Sequence, residues 1–201
     1  MSQRFKGKTI LITGGNSGIG FATAKQIVKE GGKVIITGRN AETLQAAQAE
    51  LGPNSETIKA DVSLLKDIDE TMARIKQKYG RLDGLFANAG VAKLGPIEMI
   101  TEVDFDRIFN INVKGTFFTL QKALPLLVDG SSVVLNASVA GSKGGANSTI
   151  YGASKAAVRS LSRTFSSAYL ERCIRFNTVS PGPIDTPIWN RKGETPSEAI
   201  I

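Results

Sequence analysis

Tyr151 and Lys155 stand four residues apart in the run Tyr151-Gly152-Ala153-Ser154-Lys155, and Ser138 lies thirteen residues before the tyrosine. On a helix, positions i and i+4 share a face, so this spacing sets an ammonium beside a phenol. A free phenol titrates near pH ~10, and a neighbouring cation favours its ionised form. The pair therefore predicts a tyrosine able to give or take a proton near neutral pH, the work of a general acid or base. Such pairs arise by chance in many helices. What gives this one weight is the start of the same chain.

Residues 8–13 (Lys-Thr-Ile-Leu-Ile-Thr) read as a short apolar strand, and residues 21–30 as a helix. Between them runs Gly14-Gly15-Asn16-Ser17-Gly18-Ile19-Gly20. Glycines permit a left-handed backbone and close approach, and a helix N-terminus offers free N–H groups and a positive dipole end to an anion. Gly14, Asn16, Ser17, Gly18, Ile19 and Gly20 are thus candidate phosphate-binding residues. The second strand ends Ile36-Thr37-Gly38-Arg39-Asn40, without the carboxylate that ordinarily binds the ribose 2′-hydroxyl of NAD. Arg39 is instead placed for a charge-assisted contact with a 2′-phosphate. NADP(H) is the expected cofactor, with NAD(H) as the other possibility.

The elements that must carry these residues alternate along the chain. Strands are predicted at residues 33–38, 56–60, 82–88, 132–137 and 174–179, and helices at 41–51, 64–79, 104–128 and 151–170, with Pro125 in the last turns of the third. Continuous apolar strands separated by helices indicate α/β architecture: a doubly wound parallel sheet (a Rossmann fold), with ligand at the carboxyl ends of the strands.

With these motifs in this order, the chain resembles the short-chain dehydrogenase/reductase family from about residue 6 to residue 186. The resemblance implies that Asp61 and Val62 contact the adenine and that Asn88-Ala89-Gly90 forms the turn after the fourth strand. It implies too that Pro181, Gly182, Ile184 and Thr186 approach the nicotinamide. Asn112, in Ile111-Asn112-Val113, would complete a catalytic tetrad with Ser138, Tyr151 and Lys155. In that family pattern, hydride passes between the cofactor and a carbonyl or secondary alcohol. Tyr151 handles the proton, and Ser138 steadies the substrate oxygen. Lys155 lowers the tyrosine pKa and holds the nicotinamide ribose, and Asn112 holds a water beside Lys155. Residue by residue, plainer roles stay open: Ser138 as a turn serine, Asp61 as a helix cap, Asn112 as a polar residue on the outer face of its helix, Arg39 as a solvated surface charge. A catalytically idle dinucleotide-binding regulatory or sensor protein is the alternative function.

At 201 residues, 41% hydrophobic and 21% charged, the composition fits one domain spanning 1–201. There is no apolar run of signal-peptide type and none long enough to span a membrane, so cytoplasmic residence is expected. Lone Cys173 leaves no intramolecular disulfide, and the absence of histidine removes His-based triads and most zinc catalysis, so no metal is expected. The net charge of +7 is dispersed, which argues against a nucleic-acid partner. The expected partners are a small carbonyl or alcohol substrate and further copies of the chain, as a homodimer or homotetramer paired through the helices bearing Asn112 and Tyr151. Substrate walls are expected at residues 91–99 and 139–147. Against family members of roughly 250 residues, the chain looks truncated before the last helix and a seventh strand. A substrate lid would begin near 187–201 and be incomplete, and the sixth strand would be an exposed edge.

Overall fold

The structure, a computed structural model, describes residues 3–188. Most of the expected lid segment, from residue 189 onward, lies outside the described residues.

Six strands form one parallel sheet: β1 (Thr9–Thr13), β2 (Lys33–Gly38), β3 (Ser55–Lys59), β4 (Leu82–Ala87), β5 (Leu127–Asn136) and β6 (Arg175–Val179), in the order β3-β2-β1-β4-β5-β6. The helices are α1 (Gly18–Lys29), α2 (Ala41–Leu51), α3 (Leu65–Tyr79), α4 (Glu102–Phe109), α5 (Thr116–Ala123) and α6 (Thr149–Ala168). Strand side chains alternate between faces. Ile10, Ile12, Val34 and Ile36 pack with α1 and α2 residues such as Ala24, Ile27 and Leu44. Leu11, Ile35, Leu85 and Leu135 pack on the other face with Ile75 of α3, Leu120 of α5 and Val158 of α6. Both faces are covered, as the unbroken apolar strands require. The strand order reverses between β1 and β4, which opens a crevice at their carboxyl ends.

Local signals explain the helix starts. Asn40 caps α2 by accepting from Thr43 N–H at 2.9 Å, and Thr101 with Asp104 closes a capping box on α4. The helix predicted over residues 104–128 differs in three ways. It starts at Glu102, is interrupted by a π-helical segment at Asn110–Gly115, and ends at Ala123. Pro125 cannot donate a helical hydrogen bond and its ring crowds the preceding turn, so the chain leaves the helix before it. Leu127 already pairs with Leu82, and the register slips so that Gly84 faces Ser132. β5 therefore begins five residues before the predicted start at 132. β6 lies at the sheet edge with Val179 exposed while Phe176 is buried.

Candidate active site

The crevice is a cleft of about 810 Å³ lined by the glycine loop, the ends of β4 and β5, the start of α6 and the segment after β6. Its floor begins at the β1–α1 turn. Gly14 has φ +62°, and a Cβ there would stand 3.0 Å from Ala89 Cα. Only glycine meets both constraints. Gly20 is equally confined: a Cβ would meet Asn88 Nδ2 and the Gly14 carbonyl, both at 2.5 Å. Ser17 caps α1 without a side-chain hydrogen bond, and the first turn carries no acidic residue. The helix end thus keeps its N–H groups and positive potential for an anion. Residues and backbone fit the pyrophosphate of a dinucleotide.

Asn88 ties the loop to the neighbouring strand. Its Nδ2 donates to the carbonyls of Thr13 and Gly14, each at 3.0 Å, and Thr13 Oγ1 accepts from Asn88 N–H and Ala89 N–H at 3.0 Å. Past β6, Pro181 carbonyl accepts from Val139 N–H at 3.0 Å, and Ala137 N–H donates to Val179 carbonyl at 2.9 Å. Thr186 comes over the loop so closely that a Cβ on Gly18 would lie 3.2 Å from the Thr186 Cβ. Pro181, Gly182, Ile184 and Thr186 all line the cleft.

Tyr151 and Lys155 project from the first turns of α6 into the cleft beside Ser138 at the end of β5. The Lys155 ammonium lies over the tyrosine ring, 5.8 Å from its centroid, and donates to the backbone carbonyl of Asn136 at 2.7 Å. Lys155 is 5% exposed, and burial pulls its ammonium down to about 8. The expected lowering of the Tyr151 pKa is not what the structure produces. Burial pushes the phenol above its ordinary range, and the adjacent Ser138 hydroxyl only partly opposes this. The ammonium is anchored on the Asn136 carbonyl and lies over the ring. The phenol therefore keeps its proton at neutral pH. Ser138 also holds its plainer role, since its Oγ accepts from Ala140 N–H at 3.2 Å.

Asn112 occupies the π-helical segment and is 1% exposed, so it is not on the outer face of its helix. Its Oδ1 accepts from Val91 N–H at 2.9 Å, while Nδ2 donates to Val91 carbonyl at 2.9 Å and to Ser154 Oγ at 3.0 Å. This carboxamide is spent on pinning the segment after β4 to the helices behind the cleft. Both Asn112 Oδ1 and Lys155 Nζ lie 3.3 Å from where a Gly90 Cβ would be, which explains the glycine there.

Beyond the end of β2, the Arg39 guanidinium stands 3.8 Å from the Asp61 carboxylate, both partly exposed. Such a pair is weak and screened. Asp61 Oδ1 accepts from Ser63 N–H at 2.9 Å and from Ser63 Oγ at 2.7 Å, so its plainer turn-closing role is realised just before α3. Gly38 makes room for the Asn16 carboxamide, whose Oδ1 would lie 2.4 Å from a Cβ at position 38. Asn16 Nδ2 donates to Thr43 Oγ1 at 2.7 Å.

Of the predicted residues, Gly14, Asn16, Ser17, Gly18, Ile19, Asn88, Ala89, Gly90, Ser138, Tyr151 and Lys155 line the cleft, while Gly20, Asn112, Arg39, Asp61 and Val62 stand behind or beside it. Val91, Leu94, Val139, Ala140 and the stretch 143–147, within the segments expected as substrate walls, also line the cleft. Ile97 and Met99, expected in that wall, turn outward at 60% and 69% exposure in a short 3₁₀ turn. Sequence reasoning missed Asn136 and Ser154, and took Thr13 only as the residue that opens the glycine loop. The available signal for Asn136 was a carboxamide closing the apolar run Val133-Val134-Leu135.

Residues 8–197 match the model of the short chain dehydrogenase family. The chain is 45% identical over 188 residues to oxidoreductase asL5 of Sarocladium schorii, covering 92% of this chain and 76% of that one. Among solved structures, a short chain dehydrogenase from Burkholderia cenocepacia J2315 in complex with NADP superposes with a TM-score of 0.88 at 31% identity, covering 95% of this chain and 81% of that one. A 3-ketoacyl-(acyl-carrier-protein) reductase from Brucella melitensis complexed with NADH gives 0.87 at 28% identity, covering 92% and 79%.

Proposed function

The chain belongs to the short chain dehydrogenase family of NAD(P)-dependent oxidoreductases acting on alcohols and carbonyls, and on that premise we propose that it reduces a carbonyl with NADPH, Tyr151 being the acid. The observation that carries this reading is the convergence of Ser138, Tyr151 and Lys155 on one cleft floored by the glycine loop. When bound, the nicotinamide cofactor supplies the hydride. Tyr151, kept protonated by its buried setting, donates its phenolic proton to the carbonyl oxygen. The Ser138 hydroxyl donates to the same oxygen and stabilises the charge that develops there. Lys155 keeps a cation over the tyrosine ring and would hold the ribose hydroxyls of the cofactor. Asn112 acts through Val91 and Ser154, fixing the wall against which Lys155 rests.

NADPH preference rests on Arg39 beside a strand end that carries Gly38 in place of a carboxylate. A 2′-phosphate would draw Arg39 from its loose contact with Asp61. The same reading takes Asp61 and Val62 as adenine contacts and Pro181, Gly182, Ile184 and Thr186 as the nicotinamide-side strap. It also takes the protein to be cytoplasmic and to assemble as a dimer or tetramer through the helices bearing Asn112 and Tyr151. Among the described residues, no helix is long and apolar enough to cross a membrane.

The test is steady-state reduction of a panel of ketones with NADPH and NADH, using Tyr151→Phe and Arg39→Ala. Tyr151→Phe should lower kcat by roughly 10²–10⁴-fold, the usual contribution of a positioned acid, with nucleotide binding retained. Arg39→Ala should weaken NADPH by roughly tenfold or more, the loss of one charge-assisted contact, and leave NADH unchanged. An unaltered kcat in the first variant refutes the acid role; an equal loss for both nucleotides in the second refutes the preference.

A further inference from the structure

Position 136 joins the two halves of the site. Its backbone carbonyl holds the Lys155 ammonium at 2.7 Å, and its Nδ2 donates to Asn88 Oδ1 at 2.9 Å. Asn88 in turn has both amide protons committed, one to the carbonyl of Thr13 and one to that of Gly14. An unbroken path of hydrogen bonds therefore runs from the glycine loop through Asn88 and Asn136 to the ammonium. Its far end is tightly packed, because the Asn88 amide is held against Gly20, where a single added Cβ would meet it at 2.5 Å.

The chemistry specifies the residue. With its NH₂ directed at two carbonyls, Asn88 must turn its oxygen toward position 136, so position 136 must donate. Asn136 does so at a cost to the fold, since its own Oδ1 is buried with no hydrogen-bond partner among the described residues. An apolar residue would avoid that orphan acceptor, and the strand leading to it is apolar throughout Val133-Val134-Leu135. The donor is what the carboxamide contributes.

We propose that Asn136 is a positioning residue that couples the nucleotide-binding loop to the catalytic ammonium, orienting Asn88 through its side chain and Lys155 through its carbonyl. This rests on the reading of the cleft as a nicotinamide dinucleotide site. Asn136→Leu removes the donor. Asn136→Asp keeps the shape, loses the donor when ionised, and brings a carboxylate near Lys155. Asn136→Thr restores a donor on a side chain suited to a strand. Among the described residues the only titratable group facing the Lys155 ammonium from the packed elements is Tyr151; Asn112 and Gly90 face it without charge.

The experiment is fluorescence titration of NADPH and NADH against pH, with amide hydrogen exchange of residues 13–20, on the full 201-residue chain and the three variants. Leu and Asp variants should weaken both nucleotides alike by roughly tenfold, one well-made hydrogen bond's worth, and should speed exchange in the loop while α3 is unaffected. The Thr variant should recover most of the affinity. The Asp variant should also extend nucleotide binding to higher pH, because an adjacent carboxylate keeps the lysine charged. Wild-type affinity and loop exchange in Leu and Asp variants overturn the proposal. So does weakening with no Thr rescue and no movement of the pH dependence, which would mark the carboxamide as merely structural. A wild-type chain that binds neither nucleotide refutes the dinucleotide reading instead, and the exchange data then decide the coupling on their own.

Discussion

Lys155→Met replaces a buried ammonium with an unbranched apolar chain of similar length, and its effect on stability should depend on pH in a way that can be worked from the structure. Burial takes the lysine from 10.5 to about 8. At 1.36 kcal/mol per unit, the charged form is disfavoured in the folded protein by about 3 kcal/mol. Below pH 8 the lysine is charged in both folded and unfolded chains, so the whole penalty is present. As pH rises from about 8 toward 10.5, the folded chain releases the proton while the unfolded chain keeps it, and the penalty is relieved across that window. The methionine variant carries no such penalty. Its stability relative to wild type should therefore be highest near neutral pH and fall by about 3 kcal/mol by pH ~10.5. The lost bond to the Asn136 carbonyl shifts the absolute difference at neutral pH but not its dependence on pH. The other titrating groups, Tyr151 apart, keep their surroundings in both proteins and cancel, and Tyr151 holds its proton through most of the window. Urea unfolding at four or five pH values between 7 and 10.5 measures this directly. A difference that stays level within about 1 kcal/mol across the window would show that the ammonium is hydrated, and the account of the site as a dry lysine–tyrosine pair would fail.

Asn112→Ala leaves the buried N–H and carbonyl of Val91 without partners, and should cost about 3 kcal/mol in chemical denaturation; a loss under about 1 kcal/mol would mean the segment after β4 is held some other way. Gly20→Ala forces a Cβ to within 2.5 Å of the Gly14 carbonyl and the Asn88 amide. It should destabilise the fold by about 1–3 kcal/mol and abolish tight binding of both nucleotides, and unchanged melting temperature and affinity would contradict the packing described.

What the sequence alone determined is everything written in local patterns. Apolar runs of strand length separated by amphipathic helices dictated a parallel sheet covered on both faces. The glycine spacing after residue 13 and the Tyr151–Lys155 interval marked out the turn and the pair that share one cleft, because backbone freedom and helical periodicity are properties of adjacent residues. The end of α5 was legible in Pro125, although its consequence for the start of β5 was not, since that depends on pairing with Leu82 on another strand. The π-helical segment was likewise invisible, as it serves contacts of Asn112 with Val91 and Ser154, twenty-one and forty-two residues away. Tertiary structure also reversed the electrostatics of the pair. Spacing argued for a tyrosine made more acidic by its lysine, but burial desolvates both groups, and the ammonium is bonded to the Asn136 carbonyl, brought in by β5. Helical geometry decides which side chains share a face. Which charges are dried, and what else they touch, is decided by elements distant in the chain, because dielectric and hydrogen-bond partners belong to the packed volume and not to the sequence interval.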